Sequence, residues 1–95
     1  MTHQPNQFAI SIMSRDRIGI IAEVSGAISE FEGDIADLRQ SVLRGYFTMI
    51  LLASFPAAVT AEQVTQRLTA LNVEGKPALD VAVRPANDAA AADAP

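Results

Sequence analysis

Residues 46–55 read Tyr-Phe-Thr-Met-Ile-Leu-Leu-Ala-Ser-Phe, bounded by Arg44-Gly45 on one side and Pro56 on the other. In an extended chain Phe47, Met49, Leu51, Ala53 and Phe55 share one face, and Tyr46, Thr48, Ile50, Leu52 and Ser54 share the other. A segment so apolar on both sides predicts a central strand, with a neighbour at each edge and cover over each face. Thr48 and Ser54 interrupt it, and at this length it is far short of a membrane span.

The neighbours follow from the rest of the pattern. Phe8, Ile10 and Ile12 alternate with Ala9, Ser11 and Met13, which predicts a strand over 8–14. Ile20, Val24, Ala27, Ile28 and Phe31 recur at helical steps, so a helix is expected over 18–32, with Gly33 as its left-handed stop. Ile35, Leu38 and Val42 alternate imperfectly along 34–43, the mark of a half-exposed strand carrying a bulge. Arg44-Gly45 reads as a hairpin turn. Thr60 and Gln63 form a capping box ahead of Ala61, Val64, Leu68 and Leu71, which predicts a helix over 61–71. A loop through Gly75 and Pro77 leads to the last alternating run, Leu79, Val81 and Val83, closed by Pro85. The order strand, helix, strand, strand, helix, strand predicts an α+β, ferredoxin-like βαββαβ fold: a four-stranded antiparallel sheet with both helices on one face. The other face keeps Met13, Ile50 and Leu52, and no helix remains to cover them. A second subunit is the economical cover.

With 95 residues the chain has room for one domain, expected over 8–84, between a flexible start (1–7) and an Ala/Asp-rich disordered tail (85–95). So small a domain is marginal alone and gains from association. Seven Lys and Arg against eleven Asp and Glu give a net charge of −4, the wrong sign for gripping nucleic acid by charge. Arg44-Gly45-Tyr46-Phe47 starts like an RNA-recognition strand, but Phe47 stands where that signature needs a small residue and Thr48 where it needs an aromatic. There is no cysteine and one histidine, His3, so a thiolate nucleophile, a cysteine-based metal site and a Ser-His-Asp set are all excluded. No catalytic residue, metal or cofactor is expected. The polar start lacks a secretory signal, which points to the cytoplasm and to no membrane partner.

The most pointed segment is Ser14-Arg15-Asp16-Arg17-Ile18-Gly19, which joins a central strand to a helix start. Free backbone N–H groups there suit a carboxylate or another small anion, and Gly19 allows close approach. Taken alone, the same residues fit Asp16 capping the helix, with Arg15 and Arg17 in solvent, rather better than a ligand site. Asp34, at the start of the second strand, is expected near the same loop, where it and Asp16 can receive an ammonium group. An amino acid carries both charges.

Asp16-Arg17-Ile18-Gly19-Ile20-Ile21-Ala22, followed by Phe31-Glu32-Gly33-Asp34-Ile35, resembles the ACT domain, whose usual pattern is Asp-Arg-Pro-Gly-aliphatic-aliphatic-Ala and later Gly-Asn-Ile. Residues 40–49 look particularly like small single-ACT proteins and the glycine cleavage repressor-like branch. The resemblance covers nearly the whole ordered chain. It implies a non-enzymatic regulator that binds an amino acid or related small effector at a homodimer interface and acts on a partner protein. The ligand residues it implies are Ser14, Asp16, Arg17, Ile18, Gly19, Asp34 and Ile35. Ile18 replaces the usual Pro and frees an N–H; Asp34 replaces the usual Asn and exchanges a donor for a negative charge. The competing expectation is an interaction module with no small ligand.

Overall fold

The structure is a computed structural model that describes residues 6–15 and 19–86. Its elements are β1 (Asn6–Arg15), α1 (Ile20–Glu30), β2 (Asp34–Leu43), β3 (Tyr46–Phe55), α2 (Ala61–Thr69) and β4 (Leu79–Pro85). The strands form one antiparallel sheet in the order β2-β3-β1-β4, so the two most apolar strands are the central pair, as their patterning requires. β1 is longer than its alternation suggests because it pairs with every residue of β3, from Asn6 opposite Phe55 to Arg15 opposite Tyr46.

One face of the sheet is dry. Phe8, Ile10 and Ile12 of β1, Phe47, Met49, Leu51, Ala53 and Phe55 of β3 and Leu79 of β4 are buried against Ile20, Val24, Ala27 and Ile28 of α1 and Val64 and Leu68 of α2. In β2 the register shifts between Ile35, opposite Ala53, and Asp37, opposite Leu52. That bulge lets Ile35 and Leu38, three residues apart, both face the core. Arg44 and Gly45 have φ of 51° and 82°, the double left-handed geometry of the tight hairpin turn that matches strand twist.

Both helices are shorter than their periodicity implies. α1 starts at Ile20 because Gly19, with φ of 81°, is its N-cap. It stops at Glu30, where the Glu32 N–H donates to the Ser29 carbonyl at 2.9 Å and the Gly33 N–H to the Ile28 carbonyl at 3.0 Å. This pair of bonds is a Schellman motif, and its left-handed residue is Glu32 at φ 58°, not Gly33. Gly33 is required for a different reason: a Cβ there would lie 2.5 Å from Phe55 Cε1 and 2.6 Å from Ile28 Cγ2. Since a side chain in the left-handed region costs about 1–2 kcal/mol, Glu32→Gly is expected to raise stability by about 1 kcal/mol, read as a higher urea midpoint at unchanged slope.

α2 is capped by both bonds of the expected box, Gln63 N–H to Thr60 Oγ1 at 3.1 Å and Thr60 N–H to Gln63 Oε1 at 2.9 Å. Beyond Thr69 the chain tightens, with the Leu71 and Asn72 N–H groups reaching back three residues to Leu68 and Thr69. Arg67 clasps Glu30 of α1 through two 2.8 Å bonds, and the guanidinium holds the Glu30 carboxyl below its usual range. Pro85 and Ala86, counted with the tail from composition, belong to the sheet end: Pro85 closes β4, and Ala86 is buried with its N–H on the Gln7 carbonyl at 2.7 Å. Among the described residues no helix is long and apolar enough to cross a membrane.

Candidate functional site

Among the described residues Ser14 is the buried polar one, 3% exposed, on the helix-covered face between Phe47 and Leu79. Its hydroxyl donates to the Arg15 carbonyl at 2.7 Å, which satisfies it at the point where β1 ends. Next to it, the Arg15 guanidinium lies 5.6 Å from the centre of the Tyr46 ring. Asp16, Arg17 and Ile18 lie outside the described residues.

The chain re-emerges at Gly19, whose carbonyl accepts the Glu23 N–H at 2.9 Å and so opens α1. Among the described residues no side chain caps α1, and its first-turn N–H groups carry the positive end of the helix dipole. A Cβ at Gly19 would meet no atom within 4 Å among the described residues; what a side chain there violates is the backbone, at φ +81°. The N-cap residue of α1 is Gly19, and the capping alternative for Asp16 lies outside the described residues.

Asp34 and Ile35 are not at this end. Asp34 pairs with Ser54, which pairs with Gln7 at the start of β1, whereas Ser14 pairs with Phe47. Seven residues of β1 separate the two rows, about 23 Å at the rise of a strand. The physical reason is the direction of α1: an 11-residue helix carries the chain back by about 16 Å, so β2 starts where β1 started. Asp34 thus lies a sheet length from Ser14, and Asp16, its expected partner around an ammonium group, lies outside the described residues.

The second feature is the sheet face without helices. Met13 is 45% exposed and Ile50 57%, with half-buried Leu52 beside them, as the alternation implies. Around Met13 and Ile50 the sheet forms a concavity of about 410 Å³, lined also by Ser11, Arg39, Ser41 and Thr48 among others. Sequence reasoning finds the β1 and β3 members of this face and misses Arg39 and Ser41 of β2. Their signal is available: beyond the bulge both occupy the outward phase of β2, and cross-strand register puts Ser41 beside Thr48 and Arg39 beside Ile50. Among the described residues no three His, Cys, Asp or Glu side chains are grouped so as to hold a metal ion.

A family model described as ACT domain matches residues 6–81. A UPF0237 protein of Methanosarcina mazei is 35% identical over 51 residues, 54% of this chain, and the chain spans only about half (55%) of that relative's length. An ACT domain protein from Streptococcus pneumoniae superposes with a TM-score of 0.69 at 26% identity, over 95% of this chain and 97% of that one. A candidate glycine cleavage system transcriptional repressor gives a TM-score of 0.69 at 23% identity, over 85% of this chain and 45% of that one, a likeness of fold alone. The family match begins with the first residue of β1, takes in five elements whole and the Gly19 turn, and ends inside β4, and the chain therefore belongs to the ACT-domain family of regulatory folds.

Proposed function

We propose that this chain is a non-enzymatic regulatory domain that binds an amino acid or a related small effector where β1 runs into α1, in a homodimer. The observation that carries the reading is the N-terminus of α1: an N-cap glycine in the left-handed region with, among the described residues, no capping side chain and no atom within 4 Å of where a Cβ would lie. Backbone N–H groups there suit the effector's carboxylate. Asp16 is the acceptor for its ammonium group, with Ser14, Arg17, Ile18 and Gly19 forming the rest of the seat. Asp34 and Ile35, a sheet-length away, are left out of the seat that one chain can form. Binding acts by favouring one arrangement of the two copies, since an effector shifts an equilibrium only by its differential affinity for the two states. Under this reading the chain works in the cytoplasm on a regulated partner protein.

The test is a thermal-shift panel against the twenty L-amino acids. At one hundred times the dissociation constant, binding to the folded state adds about 2.7 kcal/mol, a rise in Tm of roughly 10 °C or more for so small a domain. Gly19→Ala is expected to remove that shift. It also strains the backbone, so Gly45→Ala is its control: Gly45 has φ of 82° against 81° at Gly19, and neither Cβ would meet an atom within 4 Å among the described residues. Both variants should lose about 1–2 kcal/mol of stability, and only Gly19→Ala should lose the ligand response. The exposed apolar sheet face favours the second reading, an interaction module without a ligand; a flat panel on a folded, dimeric protein decides for it.

A further inference from the structure

The open face of the sheet carries a pattern that reads differently along its rows and across them. Three rows matter, each running from β2 through β3 and β1 to β4: Asp37-Leu52-Ala9-Arg84, Arg39-Ile50-Ser11-Ala82 and Ser41-Thr48-Met13-Asp80. In every row the central pair joins a large apolar residue to a small or polar one: Leu52 to Ala9, Ile50 to Ser11, Met13 to Thr48. The two edges bear opposite charges in opposite order, Asp37 then Arg39 on β2 against Arg84 then Asp80 on β4. All four charged residues are exposed.

We propose that this face is the interface between two copies, packed face to face about a two-fold axis that runs along the strands, with β3 over β1 of the partner subunit and β2 over its β4. The proposal rests on the homodimer part of the reading above and does not depend on the effector. A two-fold along the strands keeps each row opposite itself in reversed order. Leu52 then faces Ala9 of the partner subunit, Ile50 faces Ser11 of the partner subunit, and Met13 faces Thr48 of the partner subunit. Large meets small at each central position, which two packed sheets about 10 Å apart require for interdigitation. Met13, unbranched and adaptable, enters the partner's concavity of about 410 Å³, whose lining includes Thr48 and Ile50.

The same operation pairs the charges. Asp37 comes opposite Arg84 of the partner subunit. Arg39 comes one row from Asp80 of the partner subunit, about 6.6 Å along the strand, within the sweep of a long guanidinium side chain. Within its own chain Arg39 has only a 4.0 Å approach to Asp37. The two-fold doubles each contact, giving four complementary meetings around an apolar centre. A two-fold across the strands, centred on the Ile50 row, instead sets Arg39 against its own copy, Ile50 against Ile50 and Ser11 against Ser11. Pattern and charge thus select one axis.

The patch is four strands wide and about seven residues long, roughly 19 Å by 23 Å or 440 Å² in projection per copy. That lies near the lower limit for a specific interface, so the dimer is concentration-dependent and its dissociation constant is measurable.

The test exploits the charges. Arg84→Asp and Asp37→Arg are made singly and together, folding is checked by circular dichroism, and the dissociation constant of each dimer is read by sedimentation equilibrium at low salt. Each single reversal sets like charges together twice and should weaken the dimer about tenfold or more. The double reversal restores the pairing and should return the constant to within about threefold of the parent. An equimolar mixture of the two single variants should form heterodimers, because positions 37 and 84 of a mixed pair carry opposite charges across both contacts. An Arg84→Asp protein that dimerises like the parent, or a double variant as weak as the singles, overturns the face-to-face arrangement while leaving the homodimer reading intact. A parent protein that stays monomeric throughout removes both, and a shift in the amino-acid panel on that monomer would show that the effector seat stands without the dimer.

Discussion

Gly33→Ala is expected to cost about 3 kcal/mol and to lower Tm by more than about 10 °C, a large effect for the addition of one methyl group. The cause is crowding from three directions. The new Cβ would lie 2.5 Å from Phe55 Cε1, 2.6 Å from Ile28 Cγ2 and 2.9 Å from the Ile28 carbonyl oxygen. Phe55 cannot swing away freely, being 1% exposed with its ring 5.4 Å from that of Phe8. Nor can the backbone retreat, since the Gly33 N–H is tied to that same Ile28 carbonyl at 3.0 Å. Two of the three close atoms are side-chain carbons, so part of the cost is relievable. In a Phe55→Leu background, which removes the Cε1 atom, Gly33→Ala should cost at least about 1 kcal/mol less than in the parent. Additive costs in urea melts of the four proteins would show that the clash with Phe55 is not the source.

This position also marks where the sequence is readable and where it is not. A glycine after an apolar helical run signals a helix end, and α1 does end there. The reason is not local. Position 33 has no room for a side chain, so the glycine has to sit at the second residue of the Schellman motif, and the left-handed conformation falls on Glu32. Sequence periodicity reports which face of a segment is apolar, which is why the central strand, the bulge between Ile35 and Asp37 and the Thr60 capping box are all legible. It does not report direction in space. Asp34 looks close to Gly19 because fifteen residues separate them, yet a helix antiparallel to β1 returns the chain to the far end of the sheet. Ala86 has the composition of the tail and is buried because the backbone, not the side chain, completes an edge with Gln7. Arg39 and Ser41 of the open face need the cross-strand register. Three of the seven expected ligand residues, Asp16, Arg17 and Ile18, lie outside the described residues, so the proposed effector seat is argued from the α1 terminus and the family pattern.

The second large effect is expected at Leu68, and it separates burial from capping as the force that holds α2. This helix has nine residues and only two that are buried, Val64 and Leu68, each 1% exposed. A helix this short is not stable by propensity alone, so its place over the sheet depends on what those two side chains bury. Leu68→Ala should cost about 3 kcal/mol, counting the lost transfer energy and the cavity left against the core. Thr60→Ala breaks the capping box and leaves the Gln63 N–H without its acceptor, a loss of about 1 kcal/mol in a solvent-exposed turn. The Arg67 clasp on Glu30 is exposed and adds less than either. Urea melts of Leu68→Ala and Thr60→Ala at one pH should therefore differ by about 2 kcal/mol. Equal losses would mean that the cap, by fixing where α2 begins, governs its docking as much as the core contact does.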